Sequence, residues 1–392
     1  TLGTPTGQPT GAAPVTVTDS IASGTITDTT ELTVSISDAA SPAQEGQSLQ
    51  YTVTLSGTST TDITVPLTYS GTADPVLDIN GQPVTVTIKA GETTATVSVP
   101  TLTDTVLEGD EAVTITLGVP SGQPANANAV SIGDGEASGT ITDTTELTVS
   151  IADAASVDEG GNLNYLVTLS GTSTSDITIP VTYGGTAANG SDYTQVASVT
   201  IKAGETTGTL TLPTLADNAL EGPETVIVTL GTPTGQPTGA APVTVTDGEA
   251  TGTVTDTSTL SVAIGDATTV NEGQALQYTV TLSGGTSTTD ISIPLTYSGT
   301  GAPVLDYDGQ PVSVTIKAGE TTATISVPTL ADSVLEGNET VDIALGNPTG
   351  QAAGAAPVTV TDSIASGTIT DTTALTVSIS DAASPAQEGQ SL

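Results

Sequence analysis

Carboxylates are the only side chains here able to do chemistry in number. The chain has 43 aspartates and glutamates against three lysines, a formal charge of −40, and no histidine or cysteine. General acid–base or nucleophilic catalysis needs an imidazole, thiol or amine held beside the reacting group. The lysines (Lys89, Lys202, Lys317) fall at one repeated strand-end position, and eight tyrosines are the whole aromatic complement. A paired-carboxylate glycosidase would be formally available, but no aromatic platform exists to hold a sugar. The sequence therefore predicts no enzyme. Oxygen-only side chains gathered on loops are suited to holding a hard cation.

Those carboxylates recur at fixed intervals. GTITDTT at 24–30 returns as GTITDTTE at 139–146, GTVTDTST at 252–259 and GTITDTTA at 367–374. A strand-like run follows each, from Leu32, Leu147, Leu260 and Leu375, giving spacings of 115, 113 and 115 residues. Such periodicity marks a tandem array. Residues 32–146, 147–259 and 260–374 read as three whole units. Residues 1–31 read as the C-terminal fragment of a preceding unit, and 375–392 as the N-terminal fragment of a following one. Both ends look cut from a longer array. The junction ITDTTELTVSI lacks Gly and Pro, so it reads as a stiff joint rather than a flexible linker.

High charge with few aromatics ordinarily signals disorder. Clean alternation of Val, Ile and Leu with Thr overrules that here. In the first unit it predicts strands at 32–37, 49–56, 63–69, 83–88, 93–100, 112–117 and 135–142. Their inward faces run through Leu49/Tyr51/Val53/Leu55, Ile63/Val65/Leu67/Tyr69 and Val84/Val86/Ile88, among others. No helical stripe competes. Short strands punctuated by Gly, Pro and Asn predict an all-β protein, a tandem array of seven-stranded immunoglobulin-like sandwiches.

Laying the strands alternately up and down sends most acids to one pole of each unit. The best-placed are the glutamates of the Glu–Gly after the first strand (Glu45, Glu159, Glu272) and the first acid of the fifth-to-sixth loop (Asp104, Asp217, Asp332). Then come Asp78, Asp192 and Asp306, and the linker acids Asp143, Asp256 and Asp371. Glu111, Glu224 and Glu339 read as caps of the same loop. A lone loop aspartate is usually just solvated. A group recurring in three units without a basic neighbour would repel itself unless a cation neutralised it. Flexible oxygen-only loops suit Ca2+ better than Mg2+, whose octahedral shell prefers fewer, more rigid ligands.

The same charge excludes other partners. No basic groove exists to replace the counterions of a nucleic acid. No apolar run is long enough to cross a bilayer, so direct membrane insertion is not expected. Without cysteine, neither disulfides nor thiolate metal sites are available. The partners left are the adjoining repeats and other copies of the chain in a fibre or matrix.

Several segments resemble the Calx-beta domain family. They include AQEGQSLQYTVTLSG at 43–57, VDEGGNLNYLVTLSG at 157–171 and GTAANGSDY at 185–193. IKAGETT at 201–207, LADNALEGPETVIVTLGTPTG at 215–235, LTDTVLEGDEAVTITL at 102–117 and LADSVLEGNETVDIAL at 330–345 follow the same plan. The resemblance implies a seven-stranded sandwich that binds calcium through loops at one end. It matches Glu45, Glu159 and Glu272 to the family's post-first-strand glutamate, Asp192 to its Ser-Asp-Tyr acid, and Asp104, Asp217 and Asp332 to its loop aspartate. Two departures stand out. The family's terminal run of aspartates is here Thr-Asp-Thr-Thr, and the first and third units carry PVLDING and PVLDYDG in place of Gly-Ser-Asp-Tyr. Long acidic arrays of this kind are similar to stalk regions of large bacterial surface adhesins and biofilm matrix proteins. That likeness implies an extracellular or cell-surface fibre exported by type I secretion and stiffened by Ca2+ at its junctions. The alternative is a calcium-dependent carbohydrate- or protein-binding module.

Overall fold

The computed structural model describes residues 1–380 and Glu388. The remainder of the 375–392 fragment lies outside the described residues, and residues 1–31 carry no strand and are largely exposed. Three β-sandwiches lie between. The first comprises β1 (Thr33–Ser37), β2 (Ala43–Gln44), β3 (Ser48–Leu55), β4 (Ile63–Gly71) and β5 (Thr85–Ile88). It continues with β6 (Thr94–Pro100), β7 (Val106–Leu107), β8 (Glu111–Leu117), β9 (Ser131–Ile132) and β10 (Glu136–Thr142).

Alternation decides which face each strand buries. On β3, Leu49, Tyr51, Val53 and Leu55 point inward while the residues between them face water. One sheet has the order β6-β3-β1-β9 and the other β2-β10-β8-β4-β5. Pairing is antiparallel except at β1·β9 and β2·β10, because the chain from β1 to β2 crosses from one sheet to the other. The second and third sandwiches repeat this plan around separate cores.

All seven predicted strands form, with ends shifted by a residue or two. β2, β7 and β9 are additional, and at two residues each they are too short to show alternation. Val84 differs from its expected inward position and is 73% exposed. β5 starts one residue later, so Val84 sits in the turn that leads into it.

A buried tyrosine ties the sheets together in every sandwich. Tyr51 Oη donates to the Val113 carbonyl at 2.8 Å, Tyr165 to Val226 at 2.9 Å and Tyr278 to Val341 at 2.5 Å. This explains the glycine that opens the recurring GT(I/V)TDT phrase. A Cβ on Gly139, Gly252 or Gly367 would stand 2.5 Å from that hydroxyl. Gly252→Ala is therefore expected to displace Tyr165 and cost about 1–3 kcal/mol, the range for overpacking a core. Chemical unfolding monitored by tyrosine fluorescence measures this, and a wild-type midpoint would refute it.

Candidate metal centre

The loop between β4 and β5 is anchored from below. Asp78 is followed by Ile79, which is 3% exposed, and Asp192 and Asp306 by Tyr193 and Tyr307, 2% and 1% exposed. Each apolar neighbour also bridges to the end of the fifth long strand, at Thr101, Thr214 and Thr329. The aspartate is thereby pinned in a short turn and buried. Its Oδ2 accepts the backbone amide four residues upstream, from Asp74, Ala188 or Ala302. The carbonyls of Asp78, Asp192 and Asp306 accept the amides of Leu102, Leu215 and Leu330. PVLDING and PVLDYDG thus hold their aspartate as the Gly-Ser-Asp-Tyr loop does.

Around this aspartate the other acids converge. Asp78, Glu108 and Glu111 place one carboxylate oxygen each within 4.8 Å of one another, as do Asp192, Glu221 and Glu224. In the third sandwich the corresponding group is Asp306, Asp332 and Glu336. Glu45, Asp104 and Asp143 complete the first pool, near enough to raise one another's or the neighbouring glutamates' pKa. Glu159, Asp217 and Asp256 do so in the second, and Glu272 and Asp371 in the third. The structure thus brings the twelve sequence-selected acids into three groups of four.

Within each group the roles differ. Asp143 spends both oxygens on backbone amides, Oδ2 on Glu108 and Gly109 (both 2.8 Å) and Oδ1 on Thr145 (2.7 Å). Asp256 and Asp371 repeat that pattern. Burial pushes Asp256 upward, but amides of Ser258, Glu221 and Gly222 outweigh it and hold the carboxyl below its usual range. The linker acid thus shapes the Glu–Gly loop. Asp104, Asp217 and Asp332 each accept the amide two residues on, turning the start of that loop.

Sequence reading set apart Glu108, Glu221 and Glu336, and assigned Glu111, Glu224 and Glu339 to capping. Glu111 and Glu224 instead join the buried aspartate in the tightest groups, and Glu339 lies beside Asp306. Their Glu–Gly–x–Glu spacing in all three units was the available signal.

Nothing positive balances these pools. Each lysine pairs instead with an aspartate at the opposite pole: Lys89 with Asp62 at 2.8 Å, and Lys202 with Asp176 and Lys317 with Asp290 at 2.7 Å. Burial and then neighbouring carboxylates push Glu108 and Glu159 up to about 7. The same causes, with a hydrogen bond to the buried aspartate, take Glu111 and Glu224 to about 8 and Glu339 to about 7. Glu45, Glu221 and Glu336 are raised too. The donor set is entirely oxygen, and Glu159 Oε2 is buried with no hydrogen-bond partner among the described residues. These features fit a divalent hard cation. Asp78, Glu108 and Glu111 with Glu45 and Asp104 would hold it in the first sandwich, and their counterparts in the others. The cation would supply the positive charge that the loops lack.

Fold and donor set together define a non-catalytic, cation-binding β-sandwich repeat. The profile of the Calx-beta domain matches residues 28–154, 143–258 and 255–373, and the chain belongs to that family. Calcium is accordingly the cation of these sites. Solved structures similar to the chain include CBD12 from CALX1.2, at 16% identity over 56% of this chain and 99% of that one, with a TM-score of 0.25. The apo-form Calx CBD1 domain is 22% identical over 29% of this chain and 97% of that one, also at 0.25. No curated protein matches the sequence.

The raised glutamates set a sign for pH dependence. Between the unfolded glutamate value near 4.5 and the folded values of about 7–8, the metal-free native state binds more protons than the unfolded chain. Its stability is full below that window and falls as pH rises through it. Tm in chelator is thus expected to drop between about pH 5.5 and about pH 8.5, with saturating calcium shrinking or reversing the drop. A flat Tm in chelator would contradict a pool of this kind.

Proposed function

We propose that the chain is a structural extender, part of a fibre on the outside of a bacterial cell, whose units are stiffened by Ca2+ at their junctions in support of adhesion or biofilm matrix. Residues 32–146, 147–259 and 260–374 are its complete repeats. The ligands are Glu45, Asp78 and Asp104 with Glu108 and Glu111, and their counterparts. Asp143, Asp256 and Asp371 hold the loop that presents the glutamates.

One observation carries this reading: the loop that bears the glutamates is also the loop that touches the next sandwich. Val106–Leu107, immediately before Glu108, pairs with Thr172–Ser173, and Ala219–Leu220, before Glu221, pairs with Thr286–Ser287. The Asp110 amide also reaches the Thr238 carbonyl of the neighbour at 3.2 Å. A charge pool at that place destabilises the joint when bare and orders it when neutralised. A binding module would leave its pool open to a ligand. Here the loops of the first two pools lie against the next sandwich, and the third, which has no such neighbour among the described residues, is the more exposed. No described helix is long and apolar enough to cross a membrane.

Chelation is expected to lower Tm and broaden the distribution of end-to-end distances in small-angle scattering. Unchanged profiles would remove the stiffening role. Replacing Glu159 and Asp217 together by Ala is expected to lower the calcium stoichiometry in calorimetric titration while leaving the other two sites titratable. Full stoichiometry would rule those two out as ligands.

A further inference from the structure

At two places one sandwich donates a core residue to the next. Leu107 and Leu220, both 0% exposed, belong to the core of the sandwich that follows them in the chain. The Thr174 amide donates to the Leu107 carbonyl at 3.0 Å, and that of Thr288 to Leu220 at 3.2 Å. Glycine permits the approach. A Cβ on Gly171 would stand 2.7 Å from the Thr105 carbonyl oxygen, and one on Gly285 would overlap that of Asn218.

Both halves of this joint recur unmated. Val334–Leu335 is the third copy of the donating pair, and its side chains are 53% and 60% exposed. Thr58–Ser59 is the third copy of the receiving edge. Beside it lies a cavity of about 90 Å³ walled by Leu32, Ser59, Ile63, Pro124 and Val130. Where the joint is made, the wall residues Leu147 and Leu260 are 3% and 2% exposed, and Ser173 and Ser287 are both 2%. In the first sandwich Ser59 is 8% exposed and Leu32 only half-buried. The first sandwich has the socket without its plug, and the third has the plug without a socket.

We propose that these two open surfaces dock on each other between copies of this chain, Val334–Leu335 of one copy seating against Thr58–Ser59 of a second. The occupant follows from continuity: the same plug fills the same socket twice within the chain. Because the two halves differ, the contact is head-to-tail and does not close, which yields linear assemblies. The proposal deepens the fibre reading and takes its biological role from it. The contact itself is apolar and backbone-mediated. Repulsion between two chains of −40 each opposes docking at low ionic strength, so it is favoured where salt or calcium screens that charge.

The cysteine-free chain makes the test direct. Full-length Thr58→Cys protein is mixed with isotopically heavy Val334→Cys protein under mild oxidant and screening salt, and the mixed disulfide is followed by mass spectrometry. The control pairs Thr58→Cys with Val76→Cys, at a site 74% exposed and away from the plug. The Thr58–Val334 link is expected to form on the order of tenfold faster than the control, the low end of what burying one leucine is worth. Adding Leu335→Asp to the Val334→Cys chain is expected to abolish that advantage. Equal rates for the two pairs, or an advantage that survives Leu335→Asp, would overturn the proposal. A Val106→Cys/Thr172→Cys chain separates the two readings. It should close its own disulfide independently of protein concentration, and failure to close would strike at the internal joint on which the fibre reading rests.

Discussion

Uncompensated negative charge at one pole of each sandwich is the constraint on which the rest of this structure turns. Like charges a few ångströms apart, partly removed from water, cannot all stay ionised without a counter-charge. The chain supplies none there, because its three lysines are committed to Asp62, Asp176 and Asp290 at the far pole. The metal-free protein answers by keeping protons on glutamates that would ordinarily have lost them. A divalent cation offers the other answer, and the all-oxygen donor set selects calcium.

The same loop then links electrostatics to architecture. Leu107 and Glu108 are consecutive, so whatever orders the glutamate also orders the leucine that enters the next core. Asp143 connects them further, since its carboxylate holds the amides of Glu108 and Gly109 while its own segment leads into the following sandwich. Coupling between neighbours is therefore directional: each sandwich completes the core of the one after it. Nearest-neighbour terms of this kind govern repeat arrays in general. Here a large part of the term rests on one aliphatic side chain and a two-residue parallel bridge.

Much of the candidate site was legible because it repeats. Asp78, Asp192 and Asp306 sit in loops whose sequences differ, yet a buried neighbour (Ile79, Tyr193 or Tyr307) fixes all three alike. Glu111 and Glu224 were harder to place. As the first residues of strands they read naturally as caps, and only the crossing of two loops over the strand end shows that they face the buried aspartate. The linker aspartates shared a pole with the other acids, but their distinct work, holding backbone amides of a loop 34 or 35 residues away, depends on contacts that no local pattern records.

By itself the sequence determined the strands, the repeat, the acidic pole and the kind of ion that could sit there. Each follows from local periodicity or from the chemistry of the residue types. Tertiary structure decided how the units join. Val106–Leu107 and Val334–Leu335 are the same apolar pair by sequence, yet one is buried and the other exposed. The difference lies in whether another sandwich presents a Thr–Ser edge opposite. That is a long-range fact of packing, and a two-residue strand carries no alternation from which to read it.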